Sequence, residues 1–134
     1  MPRLLLEEHL RVLHEELVAA VPERAPEYAS LLEAANSLRS EREAYMPASV
    51  LRTLETGFRD LLQRPTEDDL RAGALIAAAV ADERSGVPRA VASLMEWLAD
   101  PVRFPTAWLA AVDETLRRAR QSRAGASGSD RQTL

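Results

Sequence analysis

The chain has 134 residues, a formal net charge of −4, 46% hydrophobic and 4% aromatic residues, and no cysteine. That length suits one domain with its own core, and that hydrophobic content excludes disorder of the whole chain. Without cysteine there is no disulfide framework, thiolate metal site, iron–sulfur cluster or catalytic thiol, and mild acidity argues against a general nucleic-acid binder.

So few aromatics leave the core to Leu, Ala and Val, which suit close helix packing better than a sheet. All 17 basic residues are arginine; with the many Ala and Leu, this resembles the coding bias of a GC-rich bacterial genome. Leu4-Leu5-Leu6 is cut short by Glu7-Glu8, so a secretory leader is not expected. The longest apolar run, Ala72 to Ala81, is half of the roughly 20 residues a membrane span needs. A soluble, cytoplasmic protein is expected.

Apolar periodicity predicts about six helices. The first covers Arg3 to Ala20, with Leu6, Leu10, Leu13, Leu17 and Val21 on one stripe and Glu8, Arg11 and Glu15 opposite; Pro22 ends it. The second starts near Pro26, with Tyr28, Leu31, Leu32, Ala35 and Leu38 on its apolar side. Ser40–Tyr45 either extends this helix or belongs to a loop closed by Pro47. The third covers Pro47 to Gln63, its stripe formed by Leu51, Leu54, Phe58, Leu61 and Leu62.

The fourth, over residues 67–84, has the plainest start. Thr66 is placed as its N-cap, and Glu67, Asp68 and Asp69 suit the positive end of the helix dipole. From Leu70 to Ala81 it is apolar nearly all round, which predicts burial on every side. Gly86 is placed as its C-terminal cap. The fifth covers Pro88 to Ala99, with Val91, Leu94, Met95 and Leu98 inward. The sixth covers Pro105 to Gln121, with Trp108, Leu109, Val112, Leu116 and Ala119 inward. Residues 122–134 read as a flexible tail after a single helical domain over 1–121. The expected fold is all-α: a compact bundle around a buried alanine-rich helix, with α-solenoid-like helix pairs as the alternative.

Catalytic, cofactor-binding and metal-binding residues are not identified. His9 and His14 lie about 140° apart around their helix, too divergent to share a metal from that helix alone. In the pairs Glu7-Glu8 and Glu15-Glu16 adjacent residues diverge by about 100°, and Glu8 and Glu15, which share a face with Arg11 between them, read as a solvated charged surface. The glycines form no phosphate loop, and no serine sits in a nucleophile elbow.

Three groups of residues could still bind something. Trp97 lies about 120° off the stripe of its helix. The favoured reading is a core contact with the sixth helix or with the Val102–Phe104 link; the other makes Trp97 and Phe104 part of a partner-binding patch. Tyr28, Arg42 and Tyr45 could line a polar pocket between helices. Arg117, Arg118 and Arg120 could contact phosphates, although cations at a helix C-terminus need no such role.

The function expected first is therefore a non-enzymatic protein of adaptor, regulator or inhibitor type, acting through a protein partner or as a homodimer. No cofactor and no membrane are expected. A small-molecule-binding or catalytic bundle comes second, and nucleic-acid binding through the arginine run third.

Overall fold

The all-round apolar run in the middle of the chain organises the rest of the fold. In the computed structural model, which describes residues 1–62 and 71–122, α4 (Arg71–Arg84) is buried at every position from Ala72 to Asp82. A helix without a polar side must be enclosed on all sides. Around α4 stand α1 (Arg3–Ala20), α2 (Ala29–Tyr45), α3 (Ala48–Leu61), α5 (Ala90–Leu98) and α6 (Thr106–Gln121). The described residues hold these six helices, a 3-10 segment over Pro22–Tyr28, and no strand. One helix touching five others makes a bundle, not a stack in which each pair meets only its neighbours. The predicted N-cap Thr66, the acids Glu67, Asp68 and Asp69, and the tail from residue 123 onward lie outside the described residues.

Small side chains along α4 let its neighbours come close. A Cβ at Gly73 would lie 2.7 Å from the Glu55 Cα and 2.8 Å from the Leu54 carbonyl oxygen, so the backbones of α3 and α4 touch there. The stripes of α3, α5 and α6 fill the remaining space. Leu54 and Phe58, then Val91, Leu94 and Leu98, then Trp108, Ala111, Val112, Thr115 and Ala119 are all buried.

The end of α4 ties the bundle together. Gly86, at φ 110°, takes the left-handed conformation that ends the helix, and the Val87 N–H donates to the Asp82 carbonyl at 2.9 Å. The buried Asp82 carboxylate accepts the Arg3 backbone N–H at 2.9 Å and the Arg3 Nε at 3.1 Å. It thereby satisfies one of the first N–H groups of α1, which follow Pro2 and so have no side-chain cap of their own. The Arg84 guanidinium donates to the carbonyls of Tyr45, Ala119 and Arg120, each at 3.2 Å, and to that of Ser122. A cation is thus held where α2 and α6 both end on exposed carbonyls.

Two expectations need correction. Pro26 does not start the second helix; it lies inside the 3-10 segment, and α2 begins at Ala29 and runs unbroken through Tyr45. The larger correction concerns α1. Its expected stripe does not reach the fully buried core: Leu6 is 50% exposed, and Leu10, Leu13, Leu17 and Val21 are partly buried in a helix whose chief partner is α2. The buried residues of α1 are Leu4 and Glu7, which lie about 110° around the axis from the centre of that stripe.

The cause is the set of partners that the polar side finds. Arg42 of α2 reaches both Glu7 carboxylate oxygens at 3.1 Å, Arg11 donates to Asn36 at 2.9 Å, and Glu8 pairs with Arg71. Leu4 meanwhile packs on Ala74 and Ala78. Between Glu8 and Ala34, a stretch described throughout, no residue is buried. The outer halves of α1 and α2 form a two-helix arm that packs chiefly on itself.

Candidate functional site

Beside the start of α4 lies an aromatic chain that runs from solvent into the core. It is built on the turn joining α5 to α6. Asp100 opens the turn: its side chain accepts the Val102 N–H at 2.9 Å, and its carbonyl accepts the N–H groups of Arg103 at 3.1 Å and Phe104 at 3.0 Å. Asp followed by Pro101 is the residue order such a turn favours. The turn delivers Phe104 between two tryptophans. Trp97 meets it edge-on at 6.1 Å between ring centroids, and Trp108 stacks on it at 4.7 Å. Trp108 in turn meets Phe58 edge-on at 5.0 Å.

Trp108 is fixed at both ends of its indole. The ring is buried among the aromatics, and its Nε1–H donates to the Leu98 carbonyl at 2.9 Å. That bond satisfies a carbonyl left open at the end of α5. Trp97 is different: 43% of it is exposed, and Val102 at the tip of the turn is 92% exposed. The core reading of Trp97 is therefore corrected, although its contact with the Val102–Phe104 link is present.

Trp97, Leu98, Phe104 and Trp108 close over the start of α4 to form a cavity of about 290 Å³, with Ala72, Leu75 and Arg71 completing its wall. Its lining is apolar except for the Arg71 side chain. That guanidinium is held more firmly protonated than usual by the hydrogen bond it donates to the Glu8 carboxylate, against the opposing effect of partial burial. The cavity thus has an aromatic rim, an aliphatic floor and one already-paired charge. Among the described residues, its lining suits an apolar side chain and offers no nucleophile.

The other sequence-selected residues do not converge. Tyr28 stands at the start of α2, and Arg42 is in its last turn. Fourteen residues of helix separate them by about 21 Å. Arg42 is engaged with buried Glu7, and the Tyr45 ring packs on the main core. Arg117 and Arg118 both donate to Glu114, each through Nε at 2.9 Å. The Glu114 carboxyl is held below the usual range, first by Arg117 and then by Arg118. Arg120 is exposed, and its carbonyl is one of those gripped by Arg84.

Sequence reasoning did not single out Arg71, Leu75 or Asp100 for the site. Asp100-Pro101 was the available signal, since that dipeptide marks a tight turn beside an off-stripe tryptophan. Among the described residues there is no cluster of three or more His, Asp or Glu that could hold a metal ion, and no helix long and apolar enough to cross a membrane. Comparison with known proteins finds no matching family, no similar curated protein and no similar solved structure.

Proposed function

We propose that this chain is a non-enzymatic interaction protein, of adaptor, regulator or inhibitor type, that receives an apolar side chain of a protein partner in the cavity beside Trp97. The observation that carries this reading is a tryptophan left 43% exposed as the wall of an apolar cavity. Tryptophan is enriched among the few residues that dominate binding energy, and exposed apolar patches mark interaction sites. A rigid aromatic stack behind the rim means little ordering is needed on binding.

The small-molecule or catalytic reading has less support. Ligand pockets of about 300–1,000 Å³ use several converging polar groups, whereas this cavity lies just under that range and its described lining offers one charged group, Arg71, paired with Glu8. Nucleic-acid binding through Arg117, Arg118 and Arg120 has least, because two of the three are held by Glu114. A cytoplasmic setting fits the cysteine-free composition.

Selection from a displayed peptide library tests the proposal. The expected winners share an aromatic or aliphatic anchor residue. Their affinity should fall about 30-fold for Trp97→Ala, the loss of a hot spot of about 2 kcal/mol. Peptides that bind Trp97→Ala as tightly as the parent would overturn it. Capture of free indole with no peptide enriched would favour the small-molecule reading instead.

A further inference from the structure

The turn that helps build the cavity also carries a side chain of the kind the cavity suits. Val102, at its tip, is the most exposed of the large hydrophobic residues described. A lone exposed valine needs no explanation. This one stands two residues from Phe104, which lines the apolar cavity, and beside the half-exposed Trp97 that walls it. One short turn thus presents an apolar knob and helps enclose an apolar hole.

The chain holds its own knob away from its own hole. The Asp100 side chain accepts the Val102 N–H at 2.9 Å, and the Asp100 carbonyl accepts the N–H groups of Arg103 and Phe104. Those bonds fix the turn with Val102 in water and Phe104 stacked against Trp108. A knob fixed in this way fits the hole of an identical molecule. Under two-fold symmetry the contact is made twice, because what one copy inserts the other also inserts. Each Val102 enters the partner's cavity, and each Trp97 covers the partner's Val102. Valine has little rotamer freedom to lose, and the turn is already ordered, so the entropic cost of the contact is small.

Charge favours a second copy over a strongly charged partner. The charged side chains that flank Trp97 and the turn are of both signs, and each is set against an opposite one: Arg89 with Glu96, and Arg103 with Asp100. At the cavity wall Arg71 is paired with Glu8 in the same way. A uniformly acidic or basic surface gains no net attraction from such a rim. An identical rim, equally neutral, adds no net repulsion.

We propose that the chain forms a two-fold symmetric homodimer in which Val102 of each copy fills the cavity beside the partner's Trp97. The inference rests on the reading that this cavity receives an apolar side chain of a protein, and it names that protein as a second copy.

Sedimentation equilibrium of the full chain should give a mass approaching twice 14.8 kDa as concentration rises. Over the same range tryptophan emission should shift to the blue, because Trp97 leaves water while Trp108 is already buried. Val102→Glu, at a position with almost no packing to lose, should match the parent's circular dichroism and Tm in dilute solution and weaken association by about tenfold or more. Its cavity is intact, so it should still bind the anchor peptides that the parent selects, whereas Trp97→Ala should lose both peptides and dimer. A monomer at every concentration would overturn the proposal, and so would a Val102→Glu protein that dimerises like the parent. A strictly monomeric parent that binds anchor peptides would sink the dimer alone and leave the cavity reading standing.

Discussion

Replacing Gly73 with alanine should destabilise the domain, although alanine is the better helix former. In an open helix interior the change gains about 0.5–1 kcal/mol. Here the new Cβ would sit 2.7 Å from the Glu55 Cα and 2.8 Å from the Leu54 carbonyl oxygen. Both are backbone atoms of α3, so neither can swing aside as a side chain would, and the two helices must separate. Overpacking of that kind costs about 1–3 kcal/mol, and prising apart two touching backbones belongs at the upper end. The net expectation is a loss of about 2 kcal/mol, or roughly 5–10 °C in Tm for a chain of this size. Gly57→Ala is the control. Its Cβ would meet only the Arg118 Nη1, at 3.3 Å, the mobile end of an exposed side chain, so the helix propensity of alanine should win and stability rise by about 0.5–1 kcal/mol. Denaturant unfolding followed by far-UV circular dichroism measures both. A Gly73→Ala protein as stable as the parent would refute the close crossing of α3 and α4.

Other substitutions probe the rest of the bundle. Ala77→Glu should unfold the domain, because Ala77 is fully buried and the new carboxylate would have no partner; a parent-like melting curve would contradict the central place of α4. Thr115→Val should raise stability by about 1 kcal/mol, since the buried Thr115 hydroxyl finds no hydrogen-bond partner among the described residues; lower stability in thermal unfolding would mean that the hydroxyl is satisfied. Arg84→Ala should cost about 2–3 kcal/mol by releasing the carbonyl ends of α2 and α6. Amide exchange should then quicken in the last turns of both helices, and faster exchange elsewhere but not there would count against the clamp.

How far the sequence foretold this structure depended on whether a residue's partner was local. The burial of Ala72 to Ala81 is legible in the sequence because no side of that run is polar, whatever packs against it. Leu54 with Phe58, and Val91 with Leu94, were legible for a similar reason: one stripe, one core. On α1 the same rule failed. Its burying direction was set by the pairing of Glu7 with Arg42, 35 residues away, and by Asp82 accepting the first N–H of the helix from 79 residues away. Nothing in α1 alone reveals either partner.

The candidate site divides along the same line. Trp97 and Phe104 are legible because Trp97 lies off its stripe beside a short link, and both features are local. Leu75 and Arg71 joined them only through the tertiary arrangement. Arg42 is legible only as a polar residue near a helix end, because its pairing with Glu7 is made across the bundle.

Native-state hydrogen exchange tests most directly whether α4 is the fixed axis of the fold. Amides from Ala74 to Val80 should exchange only by global unfolding, while those from His9 to Leu17, in a stretch with no buried residue, should exchange much faster through local opening. Equal exchange in α4 and in the outer half of α1 would contradict the central place of α4.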